Sequence, residues 1–203
     1  MEDKERLYYK LGEVADEKIV RHIRRYDFSA SCLLDSKLKG SKILDFGCGS
    51  GYGSKLLTIA FPDTNIVSYD VSKEAIEYAK ENNGHEHINY AEDYEIVKNS
   101  APYDSIFLID MIEHLETSER DRVMKDLMET SPSAVFFIST PLNDYVGQSP
   151  SNPHHINCFN REAFEVFLKQ YFSSAELWHV DWNFSRLMAP GEPFGKVIAI
   201  CKK

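Results

Sequence analysis

The sequence predicts one α/β domain: a doubly wound, Rossmann-like seven-stranded sheet, mostly parallel, with a terminal antiparallel hairpin and helices on both faces. Three observations lead there. From about residue 41 onward, short and almost wholly apolar runs alternate with helical patterns, as in parallel strands covered on both faces. The stretch KILDFGCGSGYGS, Lys42 to Ser54, sets four glycines between an apolar run and a helical pattern. Near the C-terminus two strand-like runs enclose Pro190, Gly191, Pro193 and Gly195, which is the composition of a hairpin connection.

Taken in order, residues 1–40 read as a helical N-terminal lid or packing layer, and 41–203 as the main body of the same domain. Tyr8, Tyr9, Tyr26 and Phe28 in the first part fit core positions better than a sugar-stacking platform. Strands are expected over KILDF (42–46), NIVSYDV (65–71), residues 88–93, YDSIFLID (103–110) and AVFFIST (134–140). Helices are expected over 52–60, 72–82 and 118–129. A long loop rich in Asn, Ser, Pro and His follows Pro141, and a helix then covers 161–171 with Asn160 as its N-cap. Residues 175–181 and 196–201 are the hairpin strands.

At 203 residues the chain can bury one sizeable core. A hydrophobic share of 43% and a charged share of 27% are those of an ordinary globular protein. The net charge of −9, with no Lys/Arg run, argues against duplex nucleic acid as a partner. Cys32, Cys48, Cys158 and Cys201 are scattered, without the paired spacing of a zinc site. The opening MEDKERLYYK is charged and polar, unlike a signal peptide, and no apolar run reaches a membrane span; a reduced, cytoplasmic setting is expected.

The glycine turn sits where the first strand enters a helix. Gly47 and Gly49 allow backbone N–H groups to approach a ligand at the helix N-terminus. Asp70 ends the second strand, where a carboxylate can accept hydrogen bonds from a ribose diol. A nucleoside-containing cofactor follows. A dinucleotide fingerprint started at Gly47 needs a small residue where Tyr52 stands, and one started at Gly49 needs it at Ser54. Both positions disfavour a nicotinamide cofactor.

The run Asp-x-Gly-x-Gly-x-Gly from Asp45 resembles the first motif of the class I S-adenosylmethionine-dependent methyltransferases. That resemblance covers almost the whole chain. It implies that Asp45 helps place the cofactor's amino-acid moiety while the backbone of Gly47, Cys48 and Gly49 lies along it. VSYDVS (67–72) is similar to the second strand of the family, putting Asp70 on the ribose and Val71 beside the adenine. Glu92 or Asp93 would meet the adenine amino group, the spacing leaving both open, and Asp110 stands at the cofactor end of the fourth strand. A narrower likeness lies in RYDFSASCLL, GYGS, IEHL and NPHHINCFNREAF (152–164), which resemble small methyltransferases of glycan and lipopolysaccharide assembly. Ubiquinone-type O-methyltransferases share the Glu-His after strand four. Small-RNA 3′-terminal 2′-O-methyltransferases share a Glu-x-x-Glu-His version, where this chain has Asp110 as the first acid.

Glu113, His114 and His155 are therefore the candidate catalytic residues, with His155 ranked above His154 by the family match. Methyl transfer to a hydroxyl needs in-line alignment and a proton acceptor, and a histidine of near-neutral pKa suits the second role. A divalent cation on Asp110, Glu113, His114 and His155 is the other arrangement these residue types allow; the metal-free version is the expectation, because Asp110 shortens one ligand arm. The resemblance implies an acceptor hydroxyl on a small molecule or saccharide. An RNA end, a nicotinamide-dependent oxidoreductase and a non-catalytic nucleotide-binding module are the alternatives.

Overall fold

The computed structural model describes residues 6–35, 42–181, 185–189 and 195–203. Its elements run α1 (Glu17–Asp35), β1 (Lys42–Phe46), α2 (Tyr52–Ala60), β2 (Asn65–Tyr69), α3 (Lys73–Asn82), β3 (Ile88–Ala91), α4 (Tyr94–Ser100), β4 (Ser105–Ile109), α5 (Thr117–Thr130), β5 (Val135–Leu142), α6 (Arg161–Lys169), β6 (Ser174–Val180), β7 (Ser185–Leu187) and β8 (Gly195–Lys202). One sheet holds them in the order β3-β2-β1-β4-β5-β8-β6-β7. The first five strands are parallel, and the C-terminal three join antiparallel.

This is the expected doubly wound sheet with one strand more than seven. The addition is β7, three residues that pair with the outer edge of β6. Its residues are exposed and polar apart from Leu187, so no alternation marks them in the sequence. The two expected hairpin strands do pair antiparallel, and β8 lies between β5 and β6. Their connection falls largely outside the described residues.

Apolar periodicity places the central strands where burial is complete. All five residues of β4 are buried, as are Ile43, Leu44, Asp45 and Phe46 of β1. One face carries a core built around Leu44, Ile106, Phe136 and Phe164; the other carries Tyr26, Leu33, Leu57, Phe107 and Phe137. Two elements escaped the periodicity. A short helix, α4, follows Asp93, and a single 3-10 turn covers Ile112–His114. Strands 2 and 3 end earlier than expected, so Asp70, Val71, Glu92 and Asp93 lie in the turns beyond them.

The N-terminal part is helical only from Glu17; residues 6–16 form an irregular strap. Its boundary with the body falls at residues outside the described set. Two side chains of the body, Ser50 and Asn83, bond the strap's backbone. Ser50 Oγ donates to the Leu7 carbonyl (2.7 Å) and accepts from the Tyr9 amide (3.3 Å). The Asn83 side chain donates to the Tyr9 carbonyl (2.8 Å) and accepts from the Leu11 amide (2.9 Å). Tyr9 and Tyr26 are core residues as expected, while Tyr8 is exposed and Phe28 is half-buried against Trp178. Among the described residues no helix is long and apolar enough to cross a membrane.

Candidate active site

The carboxyl ends of β1, β2 and β4 open into a cavity of about 720 Å³, within the range of small-molecule sites. Its floor is the glycine turn. Gly49 adopts φ +53°, and a methyl group there would point into open space, so bulk is excluded by backbone conformation and not by a neighbour. The Gly49 amide donates to Asp70 Oδ2 (2.9 Å), and the Ser72 amide donates to Oδ1 (2.9 Å). These two bonds fix the Asp70 carboxylate at the cavity wall. Arg6, from the strap, donates to Oδ1 at 2.8 Å, so an N-terminal guanidinium covers the acid expected to meet a ribose.

Gly47, Cys48, Gly49, Asp70, Val71 and Asp110 all line this cavity, together with the cluster beyond β4. Asp45 does not. It is fully buried beneath the turn, accepting from Tyr26 (2.9 Å) through one oxygen and from Ser54 (2.6 Å) through the other. Burial raises its pKa to about 6 against the opposing hydrogen bonds from Ser54 and Tyr26. Its effect on any ligand therefore passes through the turn it props up. Glu92 and Asp93 are exposed and outside the cavity lining. Asp93 N-caps α4 through the Glu95 amide (2.9 Å), a cap that explains this acid without a ligand.

Asp110 closes β4 in the left-handed region, φ +50°, a conformation that Asp adopts more readily than most residues. Ser139 holds it there, its Oγ donating to Oδ1 (2.6 Å) and accepting from the Asp110 amide (2.9 Å). Arg25 of α1, itself buried, is ion-paired with Oδ2. Burial alone would raise the Asp110 pKa, but Arg25, Lys196 and His22 outweigh it and hold the carboxyl well below the usual range. His22 Nε2 lies 3.5 Å from Oδ2. Burial lowers the His22 pKa to about 3, with Asp110 opposing and Arg25, Lys196 and Lys18 adding to the fall, so the imidazole is neutral.

Beyond Asp110 the chain makes its 3-10 turn and delivers Glu113 and His114 to the cavity. The long loop after β5 is clipped to that turn. Asn157 donates from its amide to the Glu113 carbonyl (3.0 Å) and from its side chain to the Leu115 carbonyl (2.7 Å). The clip brings His155 against His114, ring centroids 4.8 Å apart and nearly perpendicular. Glu113, His114 and His155 each offer a ligand atom within 4.8 Å of the others, a grouping that fits a divalent cation. Both Glu113 carboxylate oxygens are buried with no hydrogen-bond partner among the described residues; Thr140 lies near without meeting bonding geometry. Burial and the neighbouring Asp110 charge push the Glu113 pKa up to about 8. His114 Nδ1 lies 3.0 Å from the His154 carbonyl. A carbonyl only accepts, so Nδ1 carries the proton and Nε2 the lone pair.

Expectation and geometry meet at Glu113, His114 and His155, which the fold brings together. Asp110 stands apart, tied to Arg25 and Ser139. His154 joins the site through its carbonyl as well as through the lining. Sequence reasoning missed Arg6, Lys18, His22, Arg25 and Lys196. Arg25 opens the RYDFSASCLL run, but its role was not read there, and no motif relates the other four to the glycine turn; the strap, α1 and β8 bring them over one end of the sheet.

A family model described as a methyltransferase domain matches residues 20–178. A malonyl-[acyl-carrier protein] O-methyltransferase from Acetivibrio thermocellus is 41% identical over 58 residues, which cover 29% of this chain and 20% of that protein. The match thus spans a fifth of that relative's length. The methyltransferase domain of bacterial CtHen1-C superposes with a TM-score of 0.66 at 20% identity, covering 90% of this chain and 98% of that one. The plantazolicin methyltransferase BpumL, solved in complex with SAH, gives 0.66 at 17% identity, covering 93% and 86%. The N-terminal domain of EvdMO1, solved with SAH bound, gives 0.64 at 15%, covering 88% and 80%. At these identities the structural likeness is one of fold.

Proposed function

This chain belongs to the methyltransferase domain family, and we propose that it transfers the methyl group of S-adenosylmethionine to a hydroxyl of a small molecule or saccharide. The observation that carries the reading is the composition of one cavity: Asp70 and the glycine turn at one end, Glu113, His114 and His155 at the other. The SAH found in the BpumL and EvdMO1 structures supports the choice of cofactor. The O-methyltransferase name of the Acetivibrio relative supports oxygen as the acceptor atom.

S-adenosylmethionine supplies an electrophilic methyl on a cationic sulfonium, so the protein's task is alignment, exclusion of water and removal of one proton. Asp70, held by Gly49 and Ser72, presents its carboxylate to the ribose hydroxyls. The open Gly49 position lets the cofactor lie against the backbone. His114, with Nδ1 fixed on the His154 carbonyl, offers the Nε2 lone pair toward the acceptor hydroxyl. His155, packed edge-on to His114, is the second imidazole at that position.

The partnerless Glu113 carboxylate favours a second version of the same chemistry. A divalent cation held by Glu113, His114 and His155 would act as a Lewis acid toward the acceptor oxygen, and the His154 carbonyl on His114 Nδ1 is the usual support for such a ligand.

Calorimetric titration with S-adenosylhomocysteine tests the cofactor, and transfer of labelled methyl to a panel of alcohols and saccharides tests the acceptor. Micromolar binding with no competition from NAD is expected. Tight NAD binding and none for S-adenosylhomocysteine would replace this reading with an oxidoreductase.

A further inference from the structure

Cations gather at one corner of the cavity of a chain whose net charge is −9. Lys18 and His22 of α1 and Lys196 of β8 line it, and Arg25 stands directly behind. Lys196 Nζ reaches to 4.0 Å from Asp110 Oδ2, yet Arg25 is already paired with that same oxygen. Asp110 therefore faces Arg25 and Lys196, and Lys18 adds a third positive charge beside the neutral His22. Even with Glu113 ionised beside it, the corner keeps one positive charge in excess. Arg25, which is 1% exposed, also has Nε and Nη1 buried without a hydrogen-bond partner among the described residues. Charged groups held together against their mutual repulsion in a cleft call for a counter-ion.

The topology says which ligand brings it. Asp70 and the glycine turn belong to β2 and β1, and Asp110 to β4. Lys196 stands on β8, two strands or about 10 Å beyond β4, and its side chain reaches back to 4.0 Å from Asp110 Oδ2. Its ammonium thus lies beside Asp110 and Glu113, which follow β4, and not beside the ribose acid of β2. We propose that Lys18 and Lys196, backed by Arg25, form a subsite for an anionic group, carboxylate or phosphate, carried by the acceptor. The assignment rests on the methyltransferase reading and narrows its acceptor to molecules with a hydroxyl near such an anion. Lys18 and Lys196 are thus specificity residues that position the acceptor; they take no part in the proton transfer.

The test loads the protein with saturating S-adenosylhomocysteine, so that the cofactor's own carboxylate is already placed, and then titrates inorganic phosphate and malonate by calorimetry. Both anions are expected to bind in the millimolar range. The Lys18→Ala, Lys196→Ala double variant should lose at least fivefold of that affinity, while Lys169→Ala, at an exposed lysine ending α6 and outside the cavity lining, keeps it and S-adenosylhomocysteine affinity stays within twofold throughout. Absence of anion binding to the loaded protein, or binding unchanged in the double variant, would overturn the proposal. So would a large fall in S-adenosylhomocysteine affinity on removing the two lysines, which would assign the corner to the cofactor's carboxylate. Failure of S-adenosylhomocysteine to bind the unaltered protein is read before any anion is added, and would sink the methyltransferase reading together with this one.

Discussion

Tyr26 donates its hydroxyl to Asp45 across 2.9 Å, joining the N-terminal helix to the first strand directly under the glycine turn. The ring stacks on Phe107 of β4 and lies against Gly53 of α2, so a single side chain touches three elements that shape the cavity. A side chain at position 53 would collide with it, since a Cβ there falls 2.2 Å from Tyr26 Cζ.

Gly53→Ala is accordingly expected to destabilise the fold by ~1–3 kcal/mol, the usual cost of overpacking a filled core. Urea unfolding measures it. The same variant should weaken S-adenosylhomocysteine binding, because the displaced Tyr26 no longer supports Asp45. Stability equal to the unaltered protein would show that Tyr26 moves aside freely.

Asp70 and Arg6 make a second pair of expectations. Asp70→Ala should weaken S-adenosylhomocysteine binding by ~1–3 kcal/mol, the value of hydrogen bonds to a charged acceptor. Arg6→Ala should tighten it a few-fold, because the guanidinium at 2.8 Å competes with the ribose for the same oxygen. Weaker binding in Arg6→Ala would mean that the strap arginine serves the cofactor and does not compete with it.

For the cluster beyond β4, the cation version of the chemistry predicts that a chelator lowers methyl transfer and that added Mg²⁺ or Mn²⁺ restores it. Glu113→Gln should weaken Mn²⁺ binding at least tenfold, since it removes the one anionic ligand of the three. His155→Ala should reduce turnover by ~10²–10⁴-fold with little change in cofactor affinity. Activity indifferent to chelator, with His155→Ala still impaired, would leave a general base and no metal.

Asp45 and His22 should pull stability in opposite directions on acidification. The folded pKa of Asp45, about 6 against 3.8, lies above its unfolded value. The folded state therefore takes up the proton first, and this group's contribution falls by ~3 kcal/mol as pH rises from about 4 to 6. The folded pKa of His22, about 3 against 6.5, lies below its unfolded value, so its contribution is lost as pH falls from about 6.5 toward 3. Relative to the unaltered protein, Asp45→Asn should lose stability between pH 6 and pH 4, and His22→Gln should gain it. Thermal melts across that range decide both signs.

The doubly wound, mostly parallel sheet with its terminal hairpin, the glycine turn, an acid at Asp70 just beyond β2 and the Glu113-His114 neighbours were all legible in the sequence. Their signals are local: an apolar run, a turn residue, a spacing of one. The same logic reached His155 only through the family pattern, because nothing in the loop's composition says that Asn157 will clip it to the Glu113 turn. The family pattern also implied Asp45 and either Glu92 or Asp93 at the cofactor, and Asp45 and Asp93 have other partners here. Tertiary structure buries the first under Tyr26 and Ser54 and uses the second as the cap of a helix that the periodicity did not reveal. The Arg25–Asp110 pair, 85 positions apart, lay beyond any sequence argument. Short-range chemistry is written along the chain, but the charge a carboxylate meets depends on which distant helix and strand cross above it. Only the folded sheet, by bringing α1 and β8 over the end of β4, decided that.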